Sequence, residues 1–466
     1  MKANKIIYLT VFMALNLSGC ENLVDNLNEN PNQFTIGEVE AGNFLNGAEL
    51  SNCAIQLGPL NRMAGYYSGQ LIGYEQIELE RYLYNVSNLT FDFDGYQGVV
   101  APARMIRSRE GSNPLYEGIT KVLEAQLIGT YASLFGDIPY SEAVSDVKNP
   151  KFDDQIEIYN NLQSLLQEAI DNLTAATVTD VVLEDYIFSG NKQKWLQSAY
   201  TLKARYYMIT KQYTEAYAAA QNGISINANS MKFIPKNVVG VNNVKNKYFI
   251  ALSNYPKSLG TGNSYLIQLL DSTSAISRNN AKTNESARLQ YYTIQTTATA
   301  NTGIANELEP QGMITYQENL LILAEAGART QGFNTGLDHL NTLRALLSTG
   351  DLFNASVSAL PKTYDAYEAA DFDAGGIENQ DNIDPVRALL REIIEERYIS
   401  GFTTFMPFDD ARRLRKTDSD IAVPFPLNTA TATQNVERLL YPQTELLSNQ
   451  NAPEDPGLYA KTKVNK

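Results

Sequence analysis

Residues 195–224 read WLQSAYTLKARYYMITKQYTEAYAAAQNGI, and this stretch decides the class of fold. Apolar residues recur at three- and four-residue spacing on both sides of Lys211-Gln212. Such spacing predicts an amphipathic helix with one face on a core. The two halves are therefore predicted to form a helix pair joined by a short turn.

The order of residue types in this pair resembles a tetratricopeptide repeat. A large aromatic, Trp195, comes early, alanines such as Ala199 and Ala216 stand where the helices would cross, and Tyr213 precedes the second helix. A single unit of this kind cannot bury its apolar face alone, so several units are expected to stack. Trp195 itself is expected to lie in the core.

The same spacing marks further helices, separated by long irregular stretches. Residues 313–330 and 337–347 form a second pair, and further helical stripes run through 123–134, 159–169 and 386–397. The irregular stretches are 57–116, 227–312 and 350–385. Because the pairs are unevenly spaced, a regular solenoid is not expected. Loops this long are usually functional or disordered, and the many aromatic residues of the first argue against disorder.

Composition narrows the classes of function. The chain has 466 residues and a formal net charge of −15, which argues against general nucleic-acid binding and against a basic membrane-surface protein. His339 is the one histidine, so a metal site or proton relay built from several histidines is excluded. Tyrosine is abundant, with 28 copies, whereas tryptophan occurs once.

The first twenty residues read as an export signal that ends in a lipidation site. Lys2 and Lys5 precede an apolar run of twelve residues, which is too short to cross a membrane as a helix. The run ends in Leu17-Ser18-Gly19-Cys20, which resembles a bacterial lipobox. We therefore expect Cys20 to carry the lipid anchor. Cys53 is then left without a disulfide partner and is expected to be buried.

The chain lacks the common catalytic signatures. It contains no phosphate-binding glycine loop, no dinucleotide fingerprint, no zinc-protease motif and no nucleophile elbow. Asp92-Phe93-Asp94-Gly95 does not fit the ligand spacing of a calcium-binding EF-hand loop, so a tight turn capped by an aspartate is expected there. Paired carboxylates could cleave a glycoside, but no particular pair stands out. No cofactor and no metal site are predicted.

The most informative feature is a cluster of aromatic residues between positions 66 and 96. A tyrosine ring offers a flat apolar face with a polar edge, which suits the apolar faces and hydroxyl rims of sugars and, almost as well, peptides. Most of the rings are expected to pack the irregular stretch onto the helices, with at least one left to line a ligand site. The predicted ligand-binding residues are Tyr66, Tyr67, Tyr74 and Tyr96, with Tyr292 from a later stretch.

Several segments together resemble the SusD/RagB family of outer-membrane lipoproteins of Bacteroidetes. The lipobox at Cys20 is followed by Asn30-Pro31-Asn32, as at the start of that family. The remaining similar segments are Tyr131–Tyr140 (family pattern fGDvPy), Tyr316–Arg329 (lyAEA), Glu392–Phe402 (ER-x-x-EF/EG), Asp409–Arg413 (DLxRw) and Arg438–Asn449 (the closing R-x-x-YP pattern). The resemblance covers about residues 1 to 455.

This resemblance implies a mainly α fold with four tetratricopeptide-like helix pairs and a long irregular, ligand-binding side. It implies residues 1–19 as signal peptide, 20–40 as lipidated tether and 41–466 as a single SusD-like domain. It also implies a partner, a SusC-like TonB-dependent transporter of the outer membrane. The expected location is that membrane, reached through the lipid anchor only, with the protein facing the cell exterior.

The predicted function is non-catalytic capture of an oligosaccharide nutrient for the transporter. Family members that bind starch-like glycans use tryptophan in the site, whereas the one tryptophan here lies in a repeat helix. Tyrosine would have to replace tryptophan, or the ligand is not a typical glucan. Alternatives are capture of peptides by the same architecture, a glycoside hydrolase, and a helical scaffold that binds other proteins.

Overall fold

The computed structural model describes residues 40–110, 113–238, 241 and 244–466. The predicted signal peptide, the lipidation site at Cys20 and all but the last residue of the predicted tether lie outside these residues. Those assignments, and the single domain over 41–466, stay predictions.

The described chain is mostly helical, as the sequence predicts. The α-helices are α1 (Ala41–Leu57), α2 (Pro59–Tyr67), α3 (Gln76–Tyr82), α4 (Ala101–Glu110), α5 (Pro114–Phe135), α6 (Gln155–Ala175), α7 (Lys192–Ile209), α8 (Tyr213–Ala220), α9 (Lys247–Asn254), α10 (Tyr265–Leu270), α11 (Ser286–Tyr292), α12 (Tyr316–Thr330), α13 (Phe333–Thr349), α14 (Pro385–Ser400), α15 (Met406–Leu414) and α16 (Gln443–Ser448). The strands are β1 (Ile72–Gly73), β2 (Ile138–Pro139), β3 (Phe152–Asp153), β4 (Met231–Phe233), β5 (Leu259–Gly260), β6 (Thr283–Asn284), β7 (Gln311–Ile314) and β8 (Thr363–Tyr364).

Eight of these helices form four pairs, which confirms the predicted architecture. The pairs are α5 with α6, α7 with α8, α12 with α13, and α14 with α15. They stack in chain order, because α6 packs on α7, α8 on α12, and α12 on α14. Each added pair covers the apolar face that the previous pair leaves open.

Local sequence signals set the ends of these helices. The Asn113 side chain accepts hydrogen bonds from the backbone N–H groups of Leu115 and Tyr116, and Pro114 occupies the first turn of α5. In the third pair, α13 stops at Gly350, whose φ of +79° is the left-handed conformation that a glycine adopts readily. The caps satisfy backbone groups that the helix itself leaves unpaired.

Small residues let the helices approach closely, as the sequence predicts. A Cβ atom on Gly336 of α13 would lie 2.5 Å from the Cβ of Ala328 on α12. Between α5 and α7, a Cβ on Gly129 would lie 2.1 Å from the hydroxyl of Tyr206, which donates a hydrogen bond to the Ala125 carbonyl at 2.6 Å. Larger residues at either glycine would force the helices apart.

Trp195 and Cys53, which were predicted from the sequence to be buried, both lie in the core. Trp195 has 0% of its surface exposed, and its indole N–H donates to Asp185 at 2.7 Å. Cys53 is buried and carries a free thiol, whose pKa burial raises to about 12. The predicted core roles of both residues are confirmed.

Buried charges tie the third helix pair to the fourth. Glu325 of α12 accepts hydrogen bonds from the Arg413 guanidinium on α15, at 2.8 Å for Nη1 and Oε1. Asp410 is shared by Arg413 and Arg397, at 2.9 Å and 2.6 Å. Burial opposes the ionisation of Glu325, but the neighbouring arginines, Arg413 foremost, hold the pKa of this carboxyl well below its usual range.

Four short antiparallel ladders join segments outside the long helices, and two of them, β1 with β5 and β6 with β8, connect different irregular stretches. The pairs are β1 with β5, β2 with β3, β4 with β7, and β6 with β8. Each ladder joins two short strands. The irregular side is therefore stabilised by strand pairing rather than by the packing of long helices. Within the described part of the chain, we find no helix that is both long and apolar enough to cross a membrane.

Candidate functional site

The structure separates the five predicted ligand-binding tyrosines into buried and accessible ones. Tyr66, Tyr67 and Tyr292 are buried, Tyr96 is half-buried, and Tyr74 has 38% of its surface exposed. In this structure, therefore, only Tyr74 offers a large part of its ring to a ligand.

Tyr66 and Tyr67 do not present their rings at the surface, because α2 turns both into the core. The Tyr66 hydroxyl donates to buried Glu78 at 2.8 Å. The Tyr67 ring packs on those of Tyr84 and Phe408, with centroid distances of 5.5 Å and 6.0 Å. Both tyrosines serve as core residues with a polar edge.

Tyr292 and Tyr96 are also used for packing. The Tyr292 ring meets Phe402 edge-on at 5.2 Å and lines a concave pocket. Tyr96 packs on Phe93 and Tyr131, and its hydroxyl donates to the Pro139 carbonyl. Neither ring is freely presented at the surface, and a ligand-binding role for Tyr96 and Tyr292 stays a prediction.

The accessible ring of Tyr74 stands where two distant segments meet. In the ladder of β1 and β5, Ile72 pairs with Gly260 and Gly73 with Leu259. The Tyr74 backbone N–H continues the ladder by donating to the Ser258 carbonyl at 2.7 Å. Segments almost 190 positions apart in sequence thus become one surface.

Glycines on the facing segment make room for the Tyr74 side chain. A Cβ atom on Gly262 would lie 1.9 Å from the Tyr74 hydroxyl oxygen, and one on Gly260 would lie 3.4 Å from the ring. Gly262 also has a φ of +39°. A side chain at position 262 would therefore push the Tyr74 ring out of place.

The phenol of Tyr82 lies near Tyr74, and Tyr84 lies near both Tyr82 and Tyr459. We call Tyr74, Tyr82, Tyr84 and Tyr459 the tyrosine surface. Partial burial and then the neighbouring Tyr82 phenol raise the pKa of Tyr74. Burial also raises the pKa of Tyr84, a hydrogen bond from the Asn428 backbone opposes this, and the phenols of Tyr82 and Tyr459 add to the rise. Tyr82 and Tyr84 are half-buried, and Tyr459 is 44% exposed.

A third segment holds this surface in place through Asn428. Its backbone N–H donates to the Tyr84 hydroxyl at 3.1 Å, and its side-chain amide donates to the Tyr66 and Tyr82 carbonyls at 2.9 Å and 3.0 Å. The sequence had given no signal for Asn428 or for Tyr459, because neither belongs to the aromatic cluster that it borders.

The base of the tyrosine surface is a buried ion cluster. Glu78 of α3 pairs with Arg62 of α2 and with Arg81, both at 2.9 Å. Burial opposes ionisation of Glu78, but Arg62 and then Arg81 keep the pKa of its carboxyl below the ordinary value. This cluster fixes α3, and with it Tyr82, against the core.

Three residues with strained backbone lie around the same surface. Eight non-glycine residues of the described chain have a positive φ, and three of them are Gln76 (55°), Tyr84 (64°) and Lys257 (65°). They flank α3 and the segment that faces it. Strained backbone of this kind persists where the surrounding structure enforces it, and it is concentrated at ligand-binding and catalytic sites.

Other residues that the sequence singled out lie away from a reactive site. His339 packs on α8, where its ring meets Tyr217 with a centroid distance of 5.9 Å. The backbone N–H of Asp94 donates to the Asp92 carboxylate at 3.2 Å, which confirms the predicted turn. No group of three or more metal-ligating side chains is found among the described residues.

The chain belongs to the SusD-like family, whose description is "Starch-binding associating with outer membrane" and whose model matches residues 31–406. No curated protein matches the chain. The resemblance inferred from the sequence motifs is therefore confirmed at the level of the family.

Solved structures with the same fold come from Bacteroidetes. A SusD/RagB family protein of Bacteroides thetaiotaomicron is 20% identical, with a TM-score of 0.63 over 89% of this chain and 95% of that one. A SusD homolog of Bacteroides fragilis is 18% identical, with a TM-score of 0.64 over 92% and 99%. A chitin-binding SusD homolog of Flavobacterium johnsoniae is 18% identical, with a TM-score of 0.61 over 91% and 99%.

Proposed function

We propose that this protein is a cell-surface lipoprotein that binds an oligosaccharide nutrient on the tyrosine surface. It passes the ligand, without chemical change, to a SusC-like TonB-dependent transporter in the outer membrane. The observation that carries the proposal is the succession of neighbouring phenols in which Tyr74 and Tyr459 are exposed and Tyr82 and Tyr84 are half-buried. The family description as starch-binding and the chitin-binding homolog support a carbohydrate as the ligand.

The tyrosine surface has the chemistry that an oligosaccharide requires. The apolar C–H face of a sugar ring can stack on an exposed tyrosine ring, while the phenol hydroxyls exchange hydrogen bonds with the sugar hydroxyls. Several such rings in succession suit a chain of sugar units. The rigid base formed by Glu78 and its arginines keeps the rings in position, which lowers the entropic cost of binding.

The proposed location of the protein and the proposed delivery of the ligand to the transporter are supported by the sequence and by the family. Cys20 would carry the lipid anchor, and two or three acyl chains give stable attachment while the folded body stays outside the bilayer. The stacked helix pairs offer a broad surface, and the residues that form it are different from those of the tyrosine surface. In this proposal the helical side docks onto the transporter and the tyrosine surface captures the ligand.

Titration calorimetry of the purified protein against maltooligosaccharides and chitooligosaccharides tests the ligand-binding role. We expect binding of one series, with at least a tenfold loss of affinity in Tyr74→Ala and in Tyr82→Ala. Tyr207→Ala is the matched control, because Tyr207 is a half-buried tyrosine on helix α7. Equal affinity in all three variants, or sugar release from either series, would contradict the proposal.

A further inference from the structure

A buried ion cluster lies on the irregular side of the molecule, where α14 meets the loop that follows β8. The guanidinium of Arg278 is its centre. Four carboxylates pair with it, namely Glu392 at 2.5 Å, Glu396 at 2.6 Å, Glu395 at 3.1 Å and Glu285 at 3.2 Å. One guanidinium cannot neutralise four carboxylates, so the cluster keeps excess negative charge unless other cations contribute.

The other cations of the cluster compensate only part of this charge. Arg288 pairs with Glu285 at 2.8 Å and with Glu396 at 2.6 Å. Arg344 of α13 stands farther away, with its Nη1 4.0 Å from an oxygen of Glu392. Two of the four carboxylates are thus shared by two guanidiniums, whereas Glu392 depends mainly on the guanidinium at the centre.

A fifth carboxylate, Glu378, faces the cluster from the loop after β8. The Tyr367 hydroxyl donates to Glu378 at 2.5 Å and lies 3.4 Å from an oxygen of Glu392. A hydroxyl has one proton to donate, so these two carboxylates compete for it. The Asn280 amide also donates to Glu378, at 2.7 Å, but no cation of the described residues lies at ion-pair distance from this carboxylate. Glu378 therefore adds negative charge that no neighbouring cation balances.

The remaining charged and titratable groups around the cluster do not change this balance. Asp381 pairs with Arg391 at 2.8 Å, and Asp371 pairs with Lys282 at 2.7 Å. Burial raises the pKa of each tyrosine that borders the cluster, so these phenols stay neutral between pH 5 and pH 8; they are Tyr265, Tyr292, Tyr364, Tyr367 and Tyr398. The unbalanced charge is therefore confined to the five carboxylates and three guanidiniums of the cluster.

Excess negative charge in a buried place favours protonation of carboxylates. Burial raises the pKa of Glu392 well above its ordinary value, Arg278 opposes this shift, and the charges of Glu378 and Glu395 add to it. Burial also raises the pKa of Glu395, again against Arg278 and together with Glu378 and Glu396. Glu396 differs, because its two guanidiniums hold the pKa of this carboxyl well below its usual range despite burial. As pH rises, two carboxyl groups that are neutral in acid therefore become charged opposite Glu378.

We infer that Glu378, Glu392 and Glu395 form a pH-sensitive clasp between residues 373–381 of the loop and helix α14. With two of the three carboxyl groups protonated, the segment lies against the helix. With all three ionised, like charges repel one another, and the hold of the segment on the helix weakens as pH rises. The segment forms one wall of a groove whose other walls are residues 276–280 and α14, so the clasp also governs how far this groove opens.

The first part of the loop is anchored by contacts that do not depend on pH. The Asn341 side chain of α13 exchanges two hydrogen bonds with the Tyr367 backbone, at 2.8 Å and 2.9 Å. The Phe372 ring packs on those of Phe333 and Tyr367, with centroid distances of 5.8 Å and 5.4 Å. We therefore expect the loosening to be confined to residues 373–381.

Hydrogen exchange of the full chain, followed by mass spectrometry at pH 5 and pH 8, tests the clasp. Each exchange rate is divided by the intrinsic rate of the amide at that pH, so that the ratio reports the opening of the structure. The reporters are amides of the segment that donate to backbone carbonyls, those of Gly375, Gly376, Glu378 and Asn379. We expect their protection to fall between pH 5 and pH 8 by at least about tenfold, the factor that one unit of pKa represents.

Variants that remove one of the three charges separate the clasp from a general effect of pH. In Glu378→Gln and in Glu395→Gln we expect the fall in protection to shrink to about threefold or less. The second variant guards against a folding defect in the first, because the Glu395 side chain is already 27% exposed. Asp373→Asn is the matched control, since Asp373 is an exposed carboxylate of the same segment, and this variant should keep the full fall.

Circular dichroism shows whether each variant is folded. Equal protection of the wild type at the two pH values would overturn the inference. A full fall in a folded glutamine variant, or a lost fall in Asp373→Asn, would overturn it as well. The clasp does not rest on the proposed function, and none of these outcomes depends on whether the protein binds a carbohydrate.

Discussion

The Tyr74 hydroxyl occupies the space that a Cβ atom on Gly262 would need, 1.9 Å from that position. The two residues belong to segments that the short ladder of β1 and β5 joins. The place of the accessible ring thus depends on the absence of a side chain far away in sequence.

Gly262→Ala should weaken oligosaccharide binding by at least tenfold, because the added methyl group displaces the Tyr74 ring. Titration calorimetry with the oligosaccharide that the wild type binds measures this loss. Gly375→Ala is the matched control, since Gly375 also has a positive φ, 80°, but has open space around it. Equal losses in both variants would show that backbone strain, and not ring displacement, is responsible.

A second prediction concerns Glu49, which is buried on α1 beside Asp185. Burial, and then the charge of Asp185, raise the pKa of Glu49 well above its ordinary value. The unfolded chain releases this proton near the ordinary value of about 4.3, while the folded protein keeps it to higher pH. The free energy of unfolding therefore falls as pH rises between the two pKa values.

Glu49→Gln mimics the neutral, protonated form of this side chain and should remove the loss of stability at higher pH. The free energy of unfolding of the variant minus that of the wild type should be larger at pH 8 than at pH 5 by more than about 1 kcal/mol. The reason is that one pKa unit corresponds to about 1.4 kcal/mol. Urea denaturation at the two pH values measures the gain. Glu80→Gln, on the exposed side of α3, should show no such change. The same stability difference at both pH values for Glu49→Gln would refute the prediction.

Gly336→Ala and Gly47→Ala should have opposite effects on stability. A methyl group at Gly336 collides with Ala328 at 2.5 Å, so we expect a loss of about 1–3 kcal/mol. Gly47 lies on the exposed face of α1 with nothing within 4 Å, so alanine should add about 1 kcal/mol there through its higher helix propensity. Chemical denaturation measures the free energy of unfolding of both variants. A loss of stability in Gly47→Ala as well as in Gly336→Ala would contradict this explanation of the close helix crossing.

Removal of one buried charge should cost far more than removal of an exposed one. Glu325→Gln leaves Arg413 and Arg397 buried with too little negative charge, at a cost of about 3–5 kcal/mol. Asp381→Asn breaks the exposed pair with Arg391 and should cost less than about 1 kcal/mol. Denaturant midpoints compare the two, and similar shifts would mean that the buried network does not carry the helix stack.

Apolar periodicity was sufficient to predict two of the four helix pairs and further single helices, because it is a local property; the number of pairs came from the family resemblance. The stripe from Leu123 to Leu134 and the core position of Trp195 both follow from it, and all of these residues are buried. The buried ion pairs could not be found in this way. Glu325 and Arg413 are 88 positions apart, and only the stacking of helices brings them together.

The candidate site was predicted only in part, for a physical reason. Tyrosine suits both the core and a ligand surface, so residue type alone cannot separate buried Tyr66 from accessible Tyr74. Their separation depends on α2 facing inwards and on the distant partner strand β5. Tyr459 reaches the same surface from near the end of the chain, where nothing in the sequence marks it.

The tyrosine surface takes its parts from the beginning, the middle and the end of the chain. Closing such large loops is entropically costly and requires the rest of the molecule to be in place first. On the proposed function, full ligand affinity requires all three parts of the surface. A polypeptide that ends before position 459 lacks the Tyr459 ring, and we expect it to bind carbohydrate more weakly. Carbohydrate binding can therefore be used to test whether a preparation of the protein is completely folded.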